Sequence, residues 1–218
     1  MQPPAPETPP ERMIASAGEA ELEFKRSRFC GYAFPAADDD AAREHLTALR
    51  RAHPKATHHC SAWRLAAEPE SSPAHHFDDD GEPGGTAGRP ILQVLENQRV
   101  VSGGIVVVRY FGGTKLGAGG LVRAYAATAT AALGAARLTE RVTRVRLRVE
   151  VPFARVAVVE ALIARHPWRL EAREFAPEPV FWLVVEAERE PSVREQLRDA
   201  TAGEAVIAAG APYQEGRG

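Results

Sequence analysis

Eleven of the eighteen glycines fall between Gly81 and Gly120, in two clusters on either side of one apolar run. Glycine is needed where φ must be positive or where something must approach the backbone closely. Two such clusters flanking one strand point to a site, not to scattered turns. The first reads Asp78-Asp79-Asp80-Gly81-Glu82-Pro83-Gly84-Gly85-Thr86-Ala87-Gly88-Arg89-Pro90. The second reads Arg109-Tyr110-Phe111-Gly112-Gly113-Thr114-Lys115-Leu116-Gly117-Ala118-Gly119-Gly120-Leu121-Val122-Arg123 and opens an alanine-rich helical stretch. A strand, a glycine turn and a helix start would aim unpaired N–H groups and the positive dipole end into the turn. With Lys115 and Arg109 or Arg123 nearby, that is a recipe for holding an anion. The competing reading is that the glycines only permit tight strand-to-helix packing. A nucleotide loop of the GxxxxGK type is excluded, because Ala118 stands where lysine is required.

Patterning along the chain predicts the elements around these loops. Glu19–Phe34 reads as one bent strand or a hairpin. Asp38 caps a helix whose apolar face carries Ala42, Leu46, Leu49 and His53. Thr57–Ala66 reads as a strand, Glu68–Gly88 as a long loop, and Arg89–Gln98 as a helix with Pro90 in its first turn. Gly104–Arg109 predicts a buried strand, and Leu121–Leu138 a helix. Arg144, Arg146 and Arg148 then alternate with Val145, Leu147 and Val149, as in a half-buried strand with one solvated edge face. Pro152–His166 predicts a helix with Phe153, Val156, Val159 and Ile163 inward. Strands at Trp168–Phe175 and Val180–Ala187, a helix at Pro191–Ala200 and a strand at Ala205–Ala209 complete a β-α-β-β-α-β order. The expected boundaries are a Pro-rich disordered tail over 1–13, domains over 14–139 and 140–210, and a tail over 211–218.

Charge excludes bulk electrostatic binding. Residues 1–137 carry 15 basic and 16 acidic side chains, and residues 138–218 carry 12 and 13. Neither half is a basic module, so contact with nucleic acid would need a local patch. No apolar run is long enough to span a membrane. The N-terminus lacks the pattern of a secretory signal, and two cysteines cannot build a disulfide framework. The expectation is a cytoplasmic protein.

Other candidate chemistry is weaker. His58, His59, Cys60, His75 and His76 fit no structural zinc spacing, and no metal site is expected. Cys60 as a nucleophile would need a base and an oxyanion hole that the sequence does not display. Asp78, Asp79, Asp80 and Glu82 could hold Mg²⁺ beside a phosphate, or one could close an Asx turn. Asp80 or Glu82 could instead pair with Lys115 or Arg123 and close the loops on each other. Asp79, Asp80, Glu82 and Thr86 are the expected loop-supporting residues. For the two rings after the apolar strand, Phe111 is expected in the core and Tyr110 is left open between core and base stacking.

Two motifs carry a resemblance. Asp79-Asp80-Gly81-Glu82-Pro83 with Gly85-Thr86-Ala87-Gly88 is followed in order by Arg109-Tyr110-Phe111-Gly112-Gly113, Lys115-Leu116-Gly117 and Gly119-Gly120-Leu121. Together with Lys25-Arg26-Ser27-Arg28-Phe29 and Thr57-His58-His59-Cys60-Ser61-Ala62-Trp63, this resembles the IMPACT/YigZ family over roughly residues 20–137. The sequence departs from the usual family pattern at Gly84 and His59. The resemblance implies an α+β chain: a ribosomal protein S5 domain 2-like N-terminal domain followed by a ferredoxin-like βαββαβ C-terminal domain. Eukaryotic relatives are implicated in translational control, through competition for the activator of a stress-responsive kinase.

The resulting expectation is a non-enzymatic, translation-associated regulator or RNA- or ribosome-binding module. Its anion or nucleic-acid site would use Arg109, Tyr110, Gly112, Gly113, Lys115, Gly117, Gly119, Gly120 and Arg123. Partners would be RNA, the ribosome or translation-factor proteins. The alternative is an enzyme acting on a phosphorylated small molecule or nucleotide.

Overall fold

The computed structural model describes residues 10–66, 73–175 and 177–217. The chain is mixed α/β and divides into two compact units between Glu140 and Arg141.

The first unit is built on β6 (Gly103–Tyr110), in which only Tyr110 is not buried. Its apolar run has no polar alternation because helices cover both faces of the sheet. Ile105 and Val107 pack with α2 (Gly88–Asn97) and α3 (Ala118–Ala135), whereas Val106 and Val108 pack with α1 (Asp39–Ala52). The sheet is antiparallel, with order β2-β3-β6-β4-β5. Its other strands are β2 (Gly18–Phe24), β3 (Ser27–Pro35), β4 (His58–Leu65) and β5 (Ala74–Asp78). The β2–β3 hairpin turns on Lys25 and Arg26, both at positive φ (46° and 64°). Asp38 caps α1 by accepting from the Ala41 amide at 2.8 Å.

Four expectations change here. The long loop over 68–88 contains β5, which pairs with β4 and stacks His76 on Trp63 at 3.9 Å between ring centroids; positions 67–72 lie outside the described residues. The alanine-rich helix runs Ala118–Ala135 and then straightens, so Arg137 and Leu138 begin β7 (Arg137–Glu150). Arg12 and Met13, expected in the tail, lie in β1 (Arg12–Ser16), which pairs with Arg137–Glu140. Phe111 is 47% exposed, because β6 ends one residue before it.

The second unit follows the order β7, α4 (Val156–Arg165), β8 (Arg169–Glu174), β9 (Val180–Glu186), α5 (Glu190–Ala200), β10 (Val206–Ala209). Its antiparallel sheet runs β10-β7-β9-β8. Val145, Leu147 and Val149 face a core shared with Phe181, Leu183, Val159 and Leu197. Tyr213–Gly216, expected in a tail, form β11 and pair with Arg141–Arg144. β7 is therefore interior, and its arginines are not a free edge face. Arg146 pairs with Glu171 at 2.6 Å, Arg148 with Glu150 at 2.6 Å, and Arg144 with Glu186 at 3.7 Å and Glu215 at 3.5 Å. Phe153, expected inward, is 58% exposed, because a 3-10 turn over Phe153–Arg155 rotates it off the helical face.

Leu147→Ala should destabilise the second unit by about 2–5 kcal/mol through cavity formation. Val206→Ala, at a position 63% exposed, should change stability by no more than about 0.5 kcal/mol. Urea unfolding followed by tryptophan fluorescence reads both.

Candidate functional site

The first glycine loop is held by its aspartates. Asp79 accepts from the amides of Gly85 at 2.7 Å, Ala87 at 2.9 Å and Gly88 at 2.8 Å. It thereby caps α2 from a distance in sequence, as Ala87 at the N-cap has no side chain to do so. Asp78 closes an Asx turn on the Asp80 amide at 2.8 Å. Asp80 binds the Arg50 guanidinium at 2.7 Å and the His59 amide at 2.6 Å. The three carboxylates thus point at separate partners. Among the described residues no cluster of three or more His, Cys, Asp or Glu could hold a metal ion, and these loops give Mg²⁺ no shared face. Thr86 donates to the Pro83 carbonyl at 2.6 Å.

Glu82 joins the two loops. Its Oε1 accepts from Arg109 Nη1 at 2.5 Å and from the Tyr125 hydroxyl at 2.7 Å. The Glu82 and Arg109 side chains are 4% and 5% exposed. Arg109 also reaches Ser27 Oγ at 3.4 Å, and the same oxygen accepts from the Gly112 amide at 3.1 Å. The loops do close on each other, but not through Lys115 or Arg123. Arg109 is available for this because, one residue before the end of β6, it shares the α3-facing side of the strand with Ile105 and Val107, where Glu82 is within reach. Its guanidinium is committed to Glu82 and is not a free anion ligand. A Cβ at Gly112 would overlap the carbonyl of Arg26, so the second loop needs glycine there to pass the β2–β3 turn.

Behind Glu82, the Cys60 thiol lies 3.3 Å from the Tyr125 hydroxyl and 3.1 Å from the Asp79 carbonyl. Burial pushes the Cys60 thiol and the Tyr125 hydroxyl up from their ordinary values. Burial and then the Glu21 carboxylate push Cys30 up to about 11. Neither thiol has the thiolate character a nucleophile needs.

In front of this pair is a cavity of about 350 Å³, lined by His58, Glu82, Pro83, Arg109, Phe111, Lys115, Leu116, Gly117, Ala118 and Leu121. Gly117, at φ +76°, precedes α3 and provides no side-chain cap, so the first-turn amides lack a capping acceptor. Lys115 is exposed and, among the described residues, makes no ion pair or side-chain hydrogen bond. Gly119 and Gly120 lie in the first turn of α3, and Gly113 is an exposed turn residue at φ +81°. Arg123 is exposed on α3 and does not line the cavity. Tyr110 is on the opposite sheet face, where its hydroxyl meets His53 Nδ1 at 2.8 Å and Arg28 stacks 4.4 Å from its ring centre. The open ring is Phe111, with the Arg109 guanidinium 5.5 Å from its centre. Sequence reasoning missed His58, Phe111 and Tyr125 as lining or supporting residues. Strand alternation puts His58 and Cys60 on one face of β4, and that was the available signal.

Residues 25–133 match the Impact N-terminal domain family. The chain belongs to the IMPACT family. It is 31% identical over 197 residues to IMPACT family member YvyE of Bacillus subtilis (strain 168), covering 90% of this chain and 89% of that one. It is 44% identical over 159 residues to an IMPACT family member of Thermus thermophilus, covering 72% and 82%. A solved structure described as a hypothetical protein shares a TM-score of 0.61 at 30% identity, covering 92% of this chain and 97% of that one. The buried Glu82, Arg109 and Gly112 arrangement described above is therefore set within an IMPACT-type domain.

Removing one partner of a buried ion pair strands the other charge. Glu82→Ala should cost about 3–5 kcal/mol, while Lys115→Ala should stay within about 0.5 kcal/mol, both read by urea unfolding. Acid should also weaken the fold. Burial, and next Arg50, hold His59 below the ordinary imidazole value; burial, and next Arg43, do the same for His76. The unfolded chain then binds more protons than the native one below about pH 6.5, so stability falls as pH drops from about 7 to about 5. Melting temperatures across that window should show the decline, and His59→Gln should flatten it.

Proposed function

We propose that this IMPACT-family chain is a non-enzymatic, translation-associated module that docks on RNA, including ribosomal RNA, through one phosphate held in the cavity. The observation that carries this reading is the combination at its mouth. Partner-free Lys115 and the uncapped start of α3 stand beside the exposed Phe111 ring. Amides at a helix start favour a phosphate, and a sequence-tolerant aromatic platform stacks a base. The arginines of β7 are matched by glutamates and offer no competing basic stripe. In this reading the first unit is S5 domain 2-like. The β10-β7-β9-β8 strand order supports a ferredoxin-like second unit. Ribosomal RNA as the target implies a cytoplasmic setting.

A second reading, an enzyme acting on a phosphorylated small molecule or nucleotide, is favoured by the cavity's size, which lies in the range of small-ligand pockets.

Co-sedimentation with ribosomes and with single-stranded RNA at low salt tests the first reading. Binding should weaken as salt rises, through release of phosphate counterions. Lys115→Ala and Phe111→Ala should each weaken it by roughly fivefold or more, and Arg146→Ala should leave it unchanged. Absence of RNA and ribosome binding, with a nucleotide-dependent rise in melting temperature, would favour the second reading.

A further inference from the structure

The cavity beside Phe111 has two walls of opposite hydrogen-bonding character. Lys115 and the first amides of α3 present donors on one side. The other side, formed by Glu82 and His58, presents acceptors. The Glu82 side chain is 4% exposed, and both hydrogen bonds it takes, from Arg109 and Tyr125, end on Oε1. Its Oε2 meets no donor among the described residues and is not sealed from solvent, so it opens on the cavity that Glu82 lines. His58 is 23% exposed at the same wall, and its Nδ1 lies 2.9 Å from the Asp80 carbonyl. A carbonyl only accepts, so Nδ1 carries the proton and, in the neutral ring, Nε2 is left as an acceptor. Nε2 stands 3.9 Å from Glu82 Oε1, too far for a hydrogen bond between them. A carboxylate oxygen on a buried side chain and an imidazole nitrogen, both without a donor, call for a ligand that supplies N–H groups.

The charges nearby select the kind of donor. Arg109 already neutralises Glu82, and Lys115 adds a positive charge at the same cavity. A cationic head would be repelled by both, whereas a neutral amino group meets only acceptors on this wall. The two N–H bonds of an amino group diverge, so at ordinary hydrogen-bond lengths one such group bridges acceptors roughly 5 Å apart. We propose that the wall formed by Glu82 Oε2 and His58 Nε2 reads the base: it accepts from the exocyclic amino group of a nucleobase stacked at Phe111, and so prefers amino-bearing bases to uracil. The inference rests on the RNA reading above and names the kind of base it takes. Uracil carries a carbonyl where cytosine carries its amino group. The lone pairs of that carbonyl would face those of Glu82 Oε2, with no hydrogen bond to offset the lost water. An aromatic platform stacks any base, so the discrimination belongs to the acceptor wall and not to Phe111.

Single-stranded RNA hexamers carry equal numbers of phosphates, so differences between them at one salt concentration belong to the bases. Binding of hexacytidylate and of hexauridylate to the wild-type chain is measured by fluorescence anisotropy at low salt and about pH 8. Hexaadenylate is compared in the same way with the hexamer of purine riboside, which keeps the ring and replaces the amino group by hydrogen. The amino-bearing member of each pair should bind roughly tenfold tighter, as expected for a hydrogen bond to a charged acceptor. His58→Ala should reduce that ratio to roughly threefold or less, through loss of the second acceptor. Lys115→Ala should weaken both members of a pair alike and keep the ratio, because it removes a phosphate contact. The exchanges between bases are made in the ligand, so the folded wild-type chain gives the answer without any substitution. Equal affinities within either pair, or a preference that His58→Ala leaves untouched, would overturn the proposal while leaving RNA docking in place. No binding of any hexamer would remove both.

Discussion

The buried contact between Glu82 and Arg109 is what the glycine-loop end of the first unit is arranged around. A carboxylate and a guanidinium removed from water each carry a desolvation cost of several kcal/mol, which good geometry and further hydrogen bonds must offset. Here the offset comes from three directions. Glu82 also takes the Tyr125 hydroxyl from α3, Arg109 also reaches Ser27 at the start of β3, and Ser27 holds the Gly112 amide. One buried pair therefore links both glycine loops, a strand end, a hairpin and a helix. The same contact decides the electrostatics of the cavity. Arg109 is neutralised from within, so exposed positive charge falls to Lys115 and to the start of α3.

The two loops look alike in composition and do different physical work. In the first, Asp79 satisfies the amides that open α2, so that helix end is closed to outside anions. In the second, Gly117 leaves the opening of α3 without a side-chain acceptor. A carboxylate supplied by the protein caps one helix start, and the other, among the described residues, has no such side-chain cap. Acidic residues crowded before a helix thus read as a cap rather than a cation site when each carboxylate already has an amide or guanidinium partner of its own.

The second unit shows the same economy of charge. Its central strand carries alternate arginines, yet neighbouring strands present Glu171, Glu186 and Glu215, and Glu150 follows on the strand itself. Cross-strand pairing of opposite charges stabilises a sheet face modestly and removes the net positive potential that a phosphate backbone would need.

The sequence by itself determined the family, most of the element order and the two glycine loops on either side of one buried strand. Those rest on local signals: the spacing of apolar residues, the caps at Asp38 and Pro90, and glycines whose backbone role is fixed by covalent geometry. It also gave the anion-binding recipe, since a helix start is a local object. Only the tertiary structure decided which charges remain available. Arg109, Lys115 and Arg123 look equivalent along the chain, but one is buried against Glu82, one stands at the cavity and one is exposed on α3 outside the cavity lining. Phe111, expected in the core, is exposed because β6 ends before it, Tyr110 packs on the opposite sheet face, and His58 lines the cavity because its strand pairs with β6 opposite Arg109. Pairings between residues tens of positions apart are set by packing, and no local pattern encodes which partner a side chain will meet.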